Sequence, residues 1–259
     1  MHHGQLPAPP RTIGAGSPAL LLIAHGSRDP RHAATVNELV QQVRSLRPGL
    51  RISAAYLDHC TPRLDRAVDR TSTAVAVPLL LNRAFHARSD IPAALREAGA
   101  DLPLADVLGP SPLLLDALDR RLAEAGFDPA DAHRTGLVLA AAGSSDRAAN
   151  AATRAVAAEY RRTRGFAAVE VAHASAAPPQ LADAVAALRA RGLRRIAVAP
   201  YLLAPGLLPD RITTAAAAAG VDTVAPVLGA APEIARLLLR RYDLARSGAA
   251  AQRSATSAA

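Results

Sequence analysis

The chain has 259 residues, half of them hydrophobic, with one cysteine and no tryptophan. This composition fits one large or two small globular domains and excludes a disordered protein. A single cysteine excludes both a disulfide framework and a multi-cysteine zinc site, and it is typical of a protein in the reducing cytoplasm. The net charge of +8 comes from arginine alone, because the chain contains no lysine.

A biased genome composition is the simplest explanation of the arginine-rich surface. If the basic charge instead reflects a partner, the sequence favours an anionic small molecule over nucleic acid. Nucleic-acid binders usually combine basic patches with stacking aromatic residues, and aromatic residues make up 3% of this chain. Arginine is well suited to binding carboxylates through two hydrogen bonds. No secretory signal or apolar stretch of membrane-spanning length is visible. We therefore expect a cytoplasmic protein that binds neither nucleic acid nor membrane.

Apolar runs of strand length alternate with longer amphipathic stretches along the chain. We predict strands at residues 19–24, 51–57, 73–79, 104–107, 137–141, 168–173, 195–200 and 222–226. Between them, patterns such as "RHAATVNELVQQVRSL" and "LADAVAALRARG" predict helices. This alternation predicts an α/β fold in which parallel sheets are covered by helices on both faces.

The chain also repeats itself. "VLGPSPLLLDALDRRL" begins at Val107, and "VLGAAPEIARLLLRRY" begins 120 positions later at Val227. "LLIAHGSRD" matches "LVLAAAGSSD", which aligns Gly26 with Gly143 at an offset of 117. These matches predict two homologous domains, each a four-stranded parallel sheet, related by a pseudo-twofold axis. We place the domains at residues 18–130 and 131–246, with disordered tails at 1–17 and 247–259.

Three polar residues of the first half each follow a predicted strand. They are His25, Asp58 and His86. In open parallel sheets, ligands bind at the carboxyl ends of the strands. Two imidazoles and a carboxylate suit a divalent ion such as Fe²⁺, Co²⁺, Ni²⁺ or Zn²⁺, and an imidazole can also abstract a proton at neutral pH. In the second half, the position of His25 holds Ala142, and that of Asp58 aligns roughly with Ser175. His86 falls opposite Leu207 or Leu208, where the two loops differ in length.

Simpler explanations stay open for these residues at this point. His25 could be a turn histidine bonded to the backbone, and His86 a solvated loop residue. Asp58 could cap the following helix through a local turn. Ser27 and Asp29 recur in the second half, so roles in a turn and a helix cap explain them. No role is expected for His59, Cys60, His2, His3, His32, His133 or His173.

The segments "LLLIAHGSRDPR", "AAYLDH", "VPLLLNRAFHARSDIP" and "VLGPSPLLLDAL" together resemble the CbiX/SirB-type sirohydrochlorin chelatases, which are class II tetrapyrrole chelatases. The resemblance covers both halves, from about residue 18 to 246, and is to the long form with two fused, flavodoxin-like domains. It implies a lyase that inserts Fe²⁺ or Co²⁺ into sirohydrochlorin without ATP, for siroheme or cobalamin synthesis. The metal is then a substrate, and no cofactor is permanently bound.

The resemblance also implies roles for particular residues. His25 and His86 match the two active-site histidines, which bind the metal. Asp58 falls where members often carry glutamate, so its side chain is one methylene shorter. The second half would be a degenerate domain that closes the cleft. The protein would be a monomer whose two halves are arranged like the subunits of a dimer. Because sirohydrochlorin carries acetate and propionate groups, the arginines expected to anchor it are Arg28, Arg83, Arg88 and Arg211.

Two other functions compete with this interpretation. A metal storage or delivery protein could use the same three ligands without binding a macrocycle. A histidine phosphatase would also carry a histidine after its first strand, but such enzymes need an arginine directly before "HG". Ala24 occupies that position here, which argues against a phosphatase.

Overall fold

The computed structural model describes residues 17–68, 73–82, 90–175 and 177–257. Three residues of the predicted site, Arg83, His86 and Arg88, lie outside the described residues, as does nearly all of the predicted N-terminal tail. The strands of the described part are β1 (Ala19–Ala24), β2 (Ile52–Tyr56), β3 (Ala74–Pro78), β4 (Thr135–Ala141), β5 (Ala168–His173), β6 (Arg195–Pro200) and β7 (Thr223–Val224). The helices are α1 (Pro30–Leu46), α2 (Leu64–Ala67), α3 (Ile91–Glu97), α4 (Pro112–Glu124), α5 (Arg147–Arg164), α6 (Leu181–Ala190), α7 (Leu207–Ala218) and α8 (Pro232–Ser257).

The strands form two separate parallel sheets, as the repeat predicted. The first has the order β2-β1-β3 and the second the order β5-β4-β6-β7. In each sheet the first strand of the half lies in the interior, and its aliphatic side chains are buried on both faces because helices cover both sides. A 3₁₀ helix at Pro129–Arg134 leads into the second sheet.

The fourth strand expected in the first half is reduced to one bridge in the described residues. The bridge joins Ala76 to Leu104. The Ala76 amide donates to the Pro103 carbonyl at 2.9 Å, and the Ala105 amide donates to the Ala76 carbonyl at 2.8 Å. Pro103 has no amide hydrogen, so it cannot donate to the ladder and extend it. The expectation of four regular strands therefore holds for the second sheet, whereas the first has three.

The two halves nevertheless place their repeated segments in the same way. The Leu108 amide donates to the Leu80 carbonyl at 2.8 Å, and the Leu228 amide donates to the Leu202 carbonyl at 2.9 Å. Both "VLG" segments thus run beside the third strand of their own half. The spatial match agrees with the alignment of the two halves through Val107 and Val227.

The last helix of each half packs on the other half. Helix α8 contacts α1 and β3 of the first half, whereas α4 contacts β6 of the second, and the two helices contact each other. One hydrophobic cluster consequently includes side chains from both halves, such as Leu22, Leu137 and Tyr242. Burial of this shared apolar surface holds the halves together.

Helix α8 also continues to Ser257, so residues 247–257, expected to be a disordered tail, are helical. This segment is rich in alanine, the strongest helix former, and contains no proline. In the described part of the chain, the helices include none with the combination of length and apolarity that crossing a membrane requires.

An ion pair between Arg120 of α4 and Glu233 of α8 joins the two exchanged helices. The guanidinium donates to both carboxylate oxygens, at 2.9 and 2.8 Å, and Glu233 is 4% exposed. Hydrogen bonding to Arg120 holds the pKa of Glu233 below its usual value of 4.5. The pair therefore stabilises the fold fully above pH 4.5, and this contribution is lost as the pH falls through the lower folded-state pKa.

We expect Glu233→Gln to lower the free energy of unfolding at pH 7 by about 1–2 kcal/mol, because a charged hydrogen-bond acceptor is lost. The loss should shrink in acid as the wild-type carboxylate becomes protonated. Urea unfolding of both proteins between pH 3 and 7 measures this difference. Glu124→Gln on α4 is the control, since Glu124 forms a more exposed pair with Arg121. If the loss in the free energy of unfolding depended on pH equally for Glu233→Gln and Glu124→Gln, the stabilising role of the Arg120–Glu233 pair would be contradicted.

Candidate functional site

Gly26 in the turn after β1 brings His25 and Asp58 side by side. Gly26 has φ of +95°, and a Cβ atom there would lie 1.8 Å from the carbonyl oxygen of Asp58. The Asp58 amide donates to the His25 carbonyl at 2.9 Å. Only glycine allows this close approach of the two backbones without strain. His25 and Asp58 are thus neighbours at the carboxyl edge of the first sheet, where both were predicted.

The second half builds the same turn without the imidazole and the carboxylate. Gly143 has φ of +82°, and a Cβ atom there would lie 2.3 Å from the Ser175 carbonyl oxygen. The Ser175 amide donates to the Ala142 carbonyl at 3.0 Å. In space, Ala142 therefore takes the position of His25, and Ser175 takes that of Asp58. The backbone arrangement belongs to the fold, whereas the imidazole and carboxylate belong to the first half.

The serine and aspartate of each turn have the structural roles expected for them. The Asp29 amide donates to Ser27 Oγ at 3.1 Å, and the Asp146 amide donates to Ser144 Oγ at the same distance. Asp29 and Asp146 are the N-caps of α1 and α5, and each accepts from the amide two residues further on. These contacts satisfy amides that lack partners inside the helix.

Asp58 is exposed and held by neighbours on its own loop. Its Oδ1 accepts from the His59 amide at 2.8 Å and from Arg63 Nη1 at 3.0 Å. The His59 amide, followed by Arg63, lowers the pKa of the carboxyl, so Asp58 is ionised at neutral pH. Helix α2 has Arg63 at its N-cap, so Asp58 does not cap it. Its Oδ2 lies 3.4 Å from His59 Nε2.

His25 is exposed and has a second histidine, His32, beside it. His32 lies in the first turn of α1, with its ring centroid 6.2 Å from that of Tyr56. Burial lowers the pKa of His32, and the nearby charge of His25 lowers it further. The imidazole next to His25 is therefore neutral at pH 7. Nothing in the local sequence distinguishes His32 from any histidine near a helix start, so sequence reasoning gave it no role.

An ion cluster at the mouth of the site joins the two halves. Arg31 donates to Asp29 at 2.6 Å and to Asp210, in the first turn of α7, at 2.5 Å. The pair Arg31–Asp210 spans 179 residues of sequence, and no local pattern revealed it. The cluster holds α7 of the second half next to the turn that carries His25.

Two of the four predicted anchoring arginines are described, and both are exposed. Arg28 lies in the turn after β1, and Arg211 follows Asp210 on α7. In the described part of the chain, neither guanidinium has a hydrogen bond or an ion pair. The ion pair between Arg31 and Asp210 joins the start of α1 to α7. Arg28, in the turn before α1, and Arg211, on α7, therefore place one cation from each half near the carboxyl edge of the first sheet.

A cavity of about 250 Å³ lies between the halves near this edge. Residues 79–82 after β3 line one side, and the second-half turn with residues 201–203 after β6 lines the other. Asn82 Nδ2 donates to Thr153 Oγ1 of α5 at 3.0 Å, which links the two walls. His86 follows Asn82 by four positions but lies outside the described residues. Among the described side chains, no three potential ligands lie close enough to hold a metal ion, so the three-residue site stays a prediction.

Comparisons with known proteins agree with this architecture. A family model described as CbiX matches residues 19–125 and again residues 136–245. The sirohydrochlorin ferrochelatase of Priestia megaterium is 26% identical over 205 residues, covering 75% of this chain and 76% of the relative. The sirohydrochlorin cobaltochelatase of Priestia megaterium is 23% identical over 206 residues, covering 75% of this chain and 67% of that relative.

Solved structures share the fold. SirB from Bacillus subtilis with Fe³⁺ matches with a TM-score of 0.76 at 19% identity, over 90% of this chain and 97% of that one. CbiX, described as the terminal enzyme for biosynthesis of siroheme in denitrifying bacteria, matches with a TM-score of 0.68 at 27% identity. The match covers 87% of this chain and 98% of that one. The two family matches fall on the two homologous halves of the fold and together span most of the sequence, so the chain belongs to the CbiX family.

Proposed function

We propose that the protein is a lyase that inserts a divalent metal ion, Fe²⁺ or Co²⁺, into sirohydrochlorin without ATP. The observation that carries this proposal is the pairing of His25 with ionised Asp58 at the carboxyl edge of one sheet, while the same turn in the other half holds Ala142 and Ser175. A scaffold needed only for folding would have no reason to differ in this way. The names of the two Priestia megaterium relatives support the substrate.

His25, Asp58 and His86 would together bind the metal before transfer. Imidazole and carboxylate ligands bind Fe²⁺ and Co²⁺ firmly enough to replace water, but they release the ion more readily than a cage of thiolates would. Insertion also requires removal of the pyrrole N–H protons. An exposed imidazole accepts such a proton at neutral pH, and the neighbouring neutral His32 adds no repelling charge to the resulting imidazolium.

Arginines from both halves would hold the carboxylates of the macrocycle. Arg28 and Arg211 are exposed at the shared edge, and Arg83 and Arg88 flank His86 in the sequence. Guanidinium groups bind carboxylates through paired, charge-assisted hydrogen bonds. The second half thus contributes a wall and a cation but no metal ligand. We assign the active-site domain to residues 18–130 and the degenerate domain to 131–246, in a cytoplasmic monomer.

An anaerobic insertion assay with purified protein, sirohydrochlorin and either Fe²⁺ or Co²⁺ tests the function. Loss of the metal-free macrocycle spectrum should be faster with enzyme than without it, and adding ATP should not change the rate. Folded protein that accelerates insertion of neither ion would refute the proposal. Binding of sirohydrochlorin by metal-free protein separates a chelatase from a metal delivery protein, which would bind the ion alone.

Asp58→Asn should lower the insertion rate by about tenfold, less than loss of a histidine, because the amide keeps one oxygen ligand and loses the charge. The rate at saturating sirohydrochlorin, measured across a range of Fe²⁺ concentrations, checks this. The required metal concentration should rise while macrocycle affinity stays near wild type. Asp65→Asn is the control, since Asp65 is an exposed carboxylate on α2. An unchanged metal dependence in Asp58→Asn would remove Asp58 from the ligand set.

A further inference from the structure

A second cavity, of about 600 Å³, lies at the outer edge of the second sheet, away from the turn that carries His25. Its walls come from α5 and from β5, which is an edge strand beside β4 in the described part of the chain. Apolar side chains form much of the lining, including Phe166, Val169 and Val171. Val169 and Val171 are two positions apart on β5 and therefore face the same side of the strand.

Two arginines without described partners stand on the α5 wall. Arg154 and Arg161 are seven positions apart, so they share one face of the helix about 10 Å apart along its axis. Between them, Ala157 and Ala158 line the cavity with small side chains that leave space open. In the described part of the chain, neither guanidinium makes a hydrogen bond or an ion pair.

The other charged side chains of the lining, Arg162 and Glu170, form ion pairs with residues outside the cavity. Arg162 donates to Glu159 at 2.8 and 2.7 Å, and Glu170 accepts from Arg191 at 3.2 Å. The charge that remains without a counterion is therefore the two cations of Arg154 and Arg161. A pair of unpaired cations beside an apolar lining is suited to a ligand with both anionic and apolar parts.

His173 supplies an independent sign of an unfilled site. It lies at the end of β5, lines the cavity, and is 3% exposed. Its Nδ1 lies 3.2 Å from the Pro178 carbonyl, and its buried Nε2 has no hydrogen-bond partner in the described structure. A buried polar atom without a partner is costly and uncommon, and it often marks a place where water or a ligand completes the site.

We propose that this cavity binds an amphipathic dianion, a small molecule with two acidic groups about 10 Å apart on an apolar body. The acidic groups pair with Arg154 and Arg161, and the apolar body lies against the half-buried Val169, next to the buried Val171. Because a crossover helix runs antiparallel to the strand that follows it, the Arg154 end of the site adjoins His173, and the Arg161 end adjoins Phe166. The site is separate from the proposed metal site and does not depend on the proposed function.

Nonanedioate is a suitable probe, because its carboxylates stand about 10 Å apart when extended, matching the arginine spacing. Titration into the ¹⁵N-labelled full chain should shift amide signals of residues 166–171 and leave those of residues 25–29 unchanged. A ligand of this size should bind with a Kd of about 1 mM or lower. Nonanoate, which has one carboxylate, should bind about tenfold more weakly.

Arg154→Gln and Arg161→Gln should each weaken nonanedioate binding by about tenfold, because each removes one ion pair. The matched control is Arg147→Gln, an exposed arginine on the same helix that does not line the cavity. His25→Ala should bind nonanedioate like wild type. The proposal fails if wild type does not bind, if Arg147→Gln weakens binding equally, or if His25→Ala removes binding, which would place the probe at the other site.

Discussion

His25→Ala is expected to lower the rate of metal insertion by at least about 100-fold while leaving sirohydrochlorin affinity nearly unchanged. The variant loses a proposed metal ligand and proton acceptor, and an acid–base side chain alone typically contributes a factor of this size. The arginines that would hold the macrocycle are untouched. His25 is exposed, so its removal opens no cavity in the core. Stopped-flow insertion and equilibrium binding, at matched folded fraction, measure the two quantities separately.

The repeat provides the control for this experiment. Asp146→Ala removes the N-cap of α5, the counterpart of Asp29 in the half that lacks the proposed metal ligands. It should cost about 1 kcal/mol of stability and leave turnover per folded molecule unchanged. His86→Ala should behave like His25→Ala. Near-wild-type turnover in His25→Ala, together with loss of turnover in Asp146→Ala, would mean that the active site lies in the other half.

Gly26→Ala is expected to be the most disruptive single-methyl change in the site. The new Cβ would meet the Asp58 carbonyl oxygen at 1.8 Å, and φ of +95° is strained for any residue with a side chain. The turn must move away from β2, which separates His25 from Asp58. We expect a loss of about 3 kcal/mol or more in the free energy of unfolding, and insertion reduced beyond the loss of folded protein.

Gly126→Ala separates the clash from the backbone strain. Gly126 also has positive φ, at +82°, but a Cβ there would have no atom within 4 Å. It should cost only the strain of the left-handed conformation, about 1 kcal/mol, with insertion unchanged. Urea unfolding and insertion rates for both variants give the comparison. Similar stability losses at the two positions would show that close packing against Asp58 does not govern the turn.

Local signals in the sequence were enough to predict much of the architecture. The apolar run before His25 ends where β1 ends, at Ala24, because a buried parallel strand needs continuous aliphatic residues and a turn needs Gly26. Strand ends in a parallel sheet share one edge, so the proximity of His25 and Asp58 also followed from pattern alone. The internal repeat then revealed which of these residues the second half lacks.

Tertiary contacts decided what no local pattern encodes. The exchange of α4 and α8 depends on which sheet each amphipathic face covers, and an apolar helix face is compatible with either sheet. The Arg31–Asp210 pair arises from the docking of elements 179 residues apart. The effect of His25 on the pKa of His32 depends on how α1 lies beside the turn after β1. Residues 104–107 had a strand-like sequence, but Pro103 before them and Pro78 on β3 lack the amide hydrogens that would extend the pairing in either direction. Periodicity and turn chemistry act over a few neighbouring residues, so they determine elements and strand ends, whereas the partners of a charged or apolar side chain depend on the packing of the whole chain.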